Sequence, residues 1–224
     1  MSEHDWNAHY ASGELPWDAP EADKNLVELV LQRPVAAGRA LEVGCGTGTN
    51  SLWLATQGFD VLAVDIAPLA IERAKKKTAA ASTLTQGSVK FEHRDFLNGP
   101  ELSAESFALV FDRGCFHVFD EAAEQQKFAA RVAASLAPGG LWLSLLGSTE
   151  GPAREMGPPR RSARDIAAAI EPVLELVELR GIEFAGIPTE QAPKAWFALS
   201  RKRDVPAQPS SKINEVTAAI SGKR

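Results

Sequence analysis

Three glycines, each separated from the next by one residue, are the feature of this sequence that most clearly indicates chemistry. Gly44, Gly46 and Gly48 follow the apolar run 40–43 and precede a helical pattern. Glycine lets the backbone approach a ligand closely, so this strand–turn–helix junction predicts a nucleotide-type binding site. The dinucleotide pattern G-x-G-x-x-G would require a further glycine where the chain has Thr49, so the spacing argues against NAD.

Acids around this turn indicate what the nucleotide carries. Glu42 repels a pyrophosphate and attracts the amino group of a zwitterionic, cationic ligand. Asp65, followed by Ile66, ends the second predicted strand, where an acid accepts hydrogen bonds from ribose hydroxyls. Asp95 and Phe96 follow the third strand and offer an adenine an acceptor and an apolar face. Taken singly, either aspartate is equally well explained as a helix cap or a turn residue.

The end of the fourth predicted strand carries groups that would act on a second substrate. Arg113 stabilises an anionic acceptor such as a thiolate, or forms a structural ion pair with Asp112 or another acid. His117 takes the proton of a neutral acceptor, or only starts a helix. Cys115 is better explained as a small packing residue than as a nucleophile, because direct transfer needs no covalent intermediate.

Two further groups of residues carry weaker signals. The loop 148–162 holds Arg154, Arg160 and Arg161, which either attract an anionic acceptor or only solvate the surface. The histidines and cysteines show no metal-ligand spacing, so we predict no metal site.

Short apolar runs alternate with helical patterns from Arg39 onward, which is typical of parallel βαβ units. The predicted strands are 40–43, 61–65, 89–93, 108–112 and 141–146, followed by an edge hairpin of 173–184 and 194–201. The predicted helices are 25–32, 50–57, 68–80, 121–136 and 163–170. Ligands bind outside the carboxyl ends of the strands in such sheets, so the candidate residues should meet at one edge.

Composition and charge restrict the function classes. The 224 residues suffice for one α/β domain, and the net charge of −5 argues against a nucleic-acid partner, since the basic run 73–77 fits a solvated helix face. Two cysteines are too few for a disulfide framework, and no apolar stretch approaches the roughly 20 residues of a membrane span. We therefore expect a cytoplasmic protein, with a monomer favoured, that acts on a small molecule away from membranes.

These motifs carry a resemblance that covers most of the chain. The pattern E-x-G-x-G-x-G at 42–48 resembles motif I of the class I S-adenosylmethionine (SAM) methyltransferases. The run 13–18 and Asp112-Arg113-Gly114 resemble the thiopurine methyltransferase-like, thiol-methylating branch. The chain departs from thiopurine methyltransferase proper in its shorter N-terminus and in the segment 115–117, so the acceptor stays open.

The resemblance implies both a fold and an activity. The fold is a single doubly wound, Rossmann-like α/β sheet of seven strands, in the order 3-2-1-4-5-7-6 with strand 7 antiparallel and helices on both faces. The activity is methyl transfer from SAM to a thiol, chalcogen or aromatic hydroxyl, with Asp112 among the cofactor contacts. A non-catalytic module that binds SAM or S-adenosylhomocysteine (SAH) is the alternative.

The N-terminal residues 1–38 are unusually aromatic for a polar segment, with Trp6, Tyr10 and Trp17. A sulfonium cation favours aromatic faces, so we predict that this segment covers the cofactor and that Trp17 contacts it. The alternative is that the rings only anchor the segment to the core. The domain then comprises 1–203, and 204–224 form a flexible tail.

Overall fold

A computed structural model of the protein describes residues 5–32, 35–80, 86–104, 106–152, 157–184 and 192–203. Seven strands form one sheet in the order β3-β2-β1-β4-β5-β7-β6, in which β7 runs antiparallel to both neighbours. The strands are β1 (Arg39–Val43), β2 (Asp60–Asp65), β3 (Ser88–His93), β4 (Phe107–Arg113), β5 (Leu136–Gly147), β6 (Glu175–Glu183) and β7 (Lys194–Arg201). The predicted topology, including the edge hairpin, is confirmed. The predicted tail lies outside the described residues.

Helices cover both faces of the sheet, as predicted. They are α1 (Trp6–Ser12), α2 (Lys24–Gln32), α3 (Thr49–Thr56), α4 (Pro68–Ala80), α5 (Ala122–Ser135) and α6 (Ala163–Ile170), with a 3₁₀ turn at Phe116–Val118. Each face has its own buried cluster: Leu26, Leu54 and Ile71 of α2–α4 join one, and Phe128 and Ile166 of α5 and α6 join the other. No helix in the described ranges combines the length and hydropathy needed to cross a bilayer.

Helix α1 has no counterpart among the predicted elements. Tyr10 is its one buried side chain, so the segment lacks the repeated apolar spacing that indicates a helix. Local caps define its ends instead. The Asp5 carboxylate accepts a hydrogen bond from the Ala8 N–H, and Gly13 ends the helix with a φ of +83°.

Strand β5 begins five residues earlier than predicted, at Leu136 rather than at residue 141. Leu136 pairs with Phe107 of β4, and the register shifts before Leu109 pairs with Leu141. Pro138, Gly139 and Gly140 therefore lie within an irregular start of the strand.

The parallel register brings the candidate residues to one edge of the sheet. Val43, at the end of β1, pairs with Val64 of β2 on one side and with Asp112 of β4 on the other. The glycine turn, Asp65 and the loop after β4 are consequently neighbours, as expected for a doubly wound sheet.

Candidate cofactor and acceptor site

The three glycines of the turn all have left-handed backbone conformations, with φ values of +70°, +55° and +80°. A Cβ on Gly44 would lie 3.0 Å from the Cys115 Cβ, and one on Gly46 would lie 3.1 Å from the Tyr10 hydroxyl. A Cβ on Gly48 would lie 2.7 Å from an aromatic ring of β3. Gly46 thus faces the N-terminal segment, whereas the other two permit close packing between elements.

Glu42 is almost completely buried, at 1% exposure, beside this turn. Its Oε1 accepts a hydrogen bond from Asn50 Nδ2 at 3.1 Å, and its Oε2 accepts one from the Ser51 hydroxyl, both in the first turn of α3. Burial raises the pKa of Glu42 to about 7. A cation placed nearby would favour the ionised form of Glu42. The raised pKa is therefore compatible with the predicted attraction between Glu42 and the amino group of a ligand.

Asp65 links the end of β2 to the glycine turn. Its Oδ2 accepts a hydrogen bond from the Gly46 N–H at 2.9 Å, and its Oδ1 accepts one from the Ala67 N–H at 2.9 Å. Burial raises the pKa of this carboxyl above its usual value. The adjacent Ile66 is 49% exposed, an apolar side chain open to solvent beside the turn. Contact of either residue with a cofactor stays a prediction.

Asp95 and Phe96 follow β3 as predicted, but both side chains make contacts within the protein. Asp95 Oδ1 accepts hydrogen bonds from the N–H groups of Leu97 and Asn98, each at 2.9 Å, which is the turn role left open above. The buried Phe96 ring lies edge-on to Phe128, with 5.0 Å between the ring centroids. An adenine contact at these residues stays a prediction.

The N-terminal segment 5–23, called the cover below, packs against α4. Tyr10 is buried against Ala67 and Ala70. The Arg73 guanidinium donates a hydrogen bond to the Tyr10 carbonyl. The Trp17 ring lies 6.3 Å from that of Tyr10 between centroids. These contacts support the anchoring role of the rings, and Arg73 binds the cover rather than belonging to a solvated helix face.

Hydrogen bonds also hold the cover over the glycine turn. The Thr47 hydroxyl donates to Asp18 Oδ1 at 2.7 Å, and the Thr49 hydroxyl donates to the Ala19 carbonyl at 3.0 Å. Lys77 Nζ donates to both hydroxyl oxygens, at 2.6 and 2.8 Å. None of these hydrogen bonds could be predicted from the spacing of residues in the sequence, because about thirty residues separate the partners.

Arg113, at the end of β4, forms an ion pair with Asp23 that sequence reasoning missed. Its Nε donates to Asp23 Oδ2 at 2.9 Å, its Nη1 donates to the Trp17 carbonyl at 3.0 Å, and its guanidinium lies 5.2 Å from the Phe184 ring centroid. Of the two interpretations considered, the geometry supports an ion pair with an acid other than Asp112. Contact of Arg113 with an acceptor stays a prediction.

Asp112 is fully buried beneath the loop that follows β4. Its Oδ1 accepts hydrogen bonds from the N–H groups of Phe116 and Cys115, and its Oδ2 accepts one from Trp142 Nε1. Burial raises the pKa of Asp112 to about 6. This position favours shaping of the loop over the predicted contact with the cofactor.

His117 is buried, and its Nδ1 accepts a hydrogen bond from the Gly147 N–H at 2.9 Å. A neutral imidazole whose Nδ1 accepts carries its proton on Nε2, so the nitrogen that a general base would use is already engaged. Burial also raises the pKa of the neighbouring Cys115 thiol, which supports the packing interpretation for that residue.

The arginines of the loop after β5 bind backbone carbonyls. Arg161 Nη2 donates to the carbonyls of His117 and Phe119 at 2.7 and 2.8 Å, and Arg160 Nε donates to that of Ser148 at 2.9 Å. Arg154 lies outside the described residues. Arg161 therefore ties the loop to the segment after β4, whereas Arg160 holds the loop together internally.

A cavity of about 590 Å³ lies between the start of α2 and the β6–β7 edge, and none of the predicted site residues lines it. The buried Asn25, which binds Asp23, and the buried Ser148 line it together with Trp196 and Ile182 of the sheet. Charged side chains of both signs also line the cavity: Lys24, Arg180, Lys194, Glu28, Glu150 and Glu183. A small molecule would fit in a space of this size.

Comparison with known proteins shows which family this chain resembles. Residues 1–183 match the thiopurine S-methyltransferase family. A probable thiol methyltransferase 2 of Arabidopsis thaliana is 33% identical over 155 residues, which cover 69% of this chain and 65% of that protein. Thiocyanate methyltransferase 1 of Brassica oleracea is 30% identical over 112 residues, which cover 50% of this chain and 48% of that protein.

The fold comparison agrees. An N-methyltransferase of Bradyrhizobium japonicum WM9, solved in complex with SAH, is 21% identical with a TM-score of 0.65, over 86% of this chain and 97% of that one. The chain spans between 48% and 65% of the length of the two plant relatives. The family match, the sheet order and the glycine turn lead to one conclusion: the chain belongs to the thiopurine S-methyltransferase family of SAM-dependent methyltransferases.

Proposed function

We propose that this protein transfers a methyl group from SAM to a small acceptor whose sulfur or other chalcogen atom is already ionised. The observation that carries this choice is the state of the loop after β4. His117 uses its accepting nitrogen on the Gly147 N–H, and Asp112 is buried beneath the loop. An acceptor that arrives as an anion needs positioning and exclusion of water but no proton acceptor.

The cofactor side supports SAM as the methyl donor. Glu42 and Asp65 lie at adjacent strand ends, next to a glycine turn that the cover overlies. Burial makes ionisation of both acids unfavourable in the absence of a cation. The ammonium group of SAM would supply that charge near Glu42, and the ribose hydroxyls would donate to Asp65. A pyrophosphate is anionic, so neither acid would attract it.

The names of the relatives favour sulfur among the possible acceptors. The plant proteins are a probable thiol methyltransferase and a thiocyanate methyltransferase. Thiocyanate is an anion, and a thiol becomes anionic at sulfur once it loses its proton. Arg113 would orient such an anion at the end of β4.

The test is a screen of the purified protein with SAM against thiols, selenide, thiocyanate and phenols, with formation of SAH as the readout. For acceptors of different acidity, kcat/KM should rise with pH only until each acceptor is itself ionised, so the profile should move with the acceptor. An acid limb at a fixed pH for all acceptors, flattened by His117→Ala, would instead show base catalysis and refute the ionised-acceptor proposal. Binding of SAH without turnover of any acceptor in the panel would favour the alternative, a non-catalytic module that binds SAM or SAH.

A further inference from the structure

Asp23 stands where the cover meets α2, and its carboxylate is fully engaged. Oδ1 accepts hydrogen bonds from the backbone and side-chain N–H groups of Asn25, both at 2.9 Å. Oδ2 accepts the hydrogen bond from Arg113 Nε at 2.9 Å. Only 4% of the Asp23 side chain and 12% of the Arg113 side chain are exposed, so water screens the pair weakly.

The backbone of the same residue reaches the cofactor side. The Asp23 N–H donates to Asn50 Oδ1 at 2.9 Å, and Asn50 Nδ2 donates to Glu42 Oε1 at 3.1 Å. A continuous hydrogen-bonded path therefore runs from Glu42 beside the glycine turn, through Asn50 and Asp23, to Arg113. The path joins the ends of β1 and β4 by way of the cover.

The cover also fixes the plane of the Arg113 guanidinium. Asp23 binds Nε, the Trp17 carbonyl binds Nη1, and the Phe184 ring lies 5.2 Å from the guanidinium carbon. Two acceptors in the plane of a rigid, planar group determine its direction. Both acceptors belong to the cover, so lifting the cover would remove these two hydrogen bonds from the guanidinium.

We propose that Asp23 is a positioning residue that holds Arg113 in place for the acceptor while the cover lies over the cofactor. This inference rests on the proposed function, in which Arg113 orients an anionic acceptor. Asp23→Asn would keep the backbone N–H that binds Asn50 beside the cofactor site. It would leave the Arg113 guanidinium buried without its charged partner, which favours opening of the cover.

The first experiment needs neither substrate nor cofactor. Native-state proteolysis within 5–23 is compared for the full chain, Asp23→Asn, Arg113→Gln, the double variant and Glu14→Gln, a control that removes an exposed acid of the same cover. We expect each of the two single variants to raise the cleavage rate about tenfold or more, and the double variant to exceed neither, because both remove one interaction. Independent, multiplicative acceleration would overturn the proposal. If Asp23→Asn does not fold, Arg113→Lys keeps the charge without the planar fork and provides the same comparison.

The second experiment separates a positioning role from a merely structural one. With SAM and an ionised thiol, Asp23→Asn should raise the acceptor KM about tenfold while changing the Kd of SAH less than about threefold, and Glu14→Gln should change neither. In the Arg113→Gln background the same substitution should have almost no further effect on KM. Equal changes in the Kd of SAH and the acceptor KM would refute positioning. A wild-type chain that methylates nothing would refute the proposed function instead, and the proteolysis result would still decide whether Asp23 acts through Arg113.

Discussion

The cofactor side and the acceptor side of the site are built differently, although they share one edge of the sheet. On the cofactor side, Glu42 and Asp65 bind groups of the nearby turn and helix, and burial raises the pKa of both acids. On the acceptor side, Arg113 depends on Asp23 and Trp17, about ninety residues earlier in the chain. The first half can be described by a sequence pattern, whereas the second depends on contacts with the cover.

The largest expected effect tests the local half. Gly46→Val should abolish SAH binding, because the residue has a φ of +55° and its Cβ would lie 3.1 Å from the Tyr10 hydroxyl. Calorimetric titration measures the loss. Gly139→Val is the matched control: Gly139 also has a positive φ, of +68°, but no atom lies within 4 Å of its Cβ position. Retained binding in Gly46→Val would place the cofactor elsewhere.

The second prediction concerns Glu42, whose pKa is raised to about 7 in the folded chain against an ordinary value of 4.5. Between these values the folded state binds more protons than the unfolded state, so the free energy of unfolding should fall as pH rises, by about 3 kcal/mol in total. Denaturant unfolding at pH 4.5 and pH 8 should show that Glu42→Gln loses this part of the pH dependence.

Glu92 provides a control of opposite sign, because its ion pair with Lys90 lowers the pKa of that carboxyl. Its contribution to stability is present above the unfolded pKa and is lost on acidification. A pH dependence that is the same in Glu42→Gln as in the wild type would contradict the burial of an ionisable acid beside the turn.

Asp65→Asn should weaken SAH binding by about 1–3 kcal/mol, as the loss of charge-assisted hydrogen bonds does. Asp60→Asn, at the opposite end of the same strand, removes an acid that binds Ser88 away from the site and should leave the affinity unchanged. Calorimetry of both variants gives the comparison. Equal affinities would remove Asp65 from the cofactor contacts.

The smallest effects distinguish the two residues of the acceptor side. Arg113→Ala should reduce acceptor kcat/KM by about tenfold or more, whereas His117→Asn, whose amide oxygen can still accept from the Gly147 N–H, should change it by less than about threefold. Steady-state rates with one ionised thiol measure both. A larger effect at His117 than at Arg113 would reverse the roles assigned here.

The cofactor side of the site could be predicted from the sequence, because its residues belong to a recognisable pattern. The positions of Gly44, Glu42 and Asp65 follow from a motif whose parts lie close together in the chain or at successive strand ends. The strand order was predicted only because the resemblance to the class I SAM methyltransferases implies it. The cover was predicted as an aromatic segment, but α1 was not, because one buried residue in seven gives no periodicity.

The pairings between distant residues could not be predicted from the sequence. Asp23 precedes a helix and looks like an ordinary cap, and only the folded chain shows that its second oxygen binds Arg113. Lys77 belongs to a basic run that fits a solvated helix face, yet it binds the glycine turn through Thr47 and Thr49. Such contacts depend on how the cover lies over the sheet, which no spacing encodes.

The most direct test of the central claim, that the edge beside Gly46 and Glu42 is a SAM site, is a calorimetric titration of the purified chain with SAH and, separately, with NAD. The account predicts saturable one-to-one binding of SAH that Gly46→Val eliminates, and no measurable binding of NAD. Binding of NAD as tight as that of SAH would contradict it.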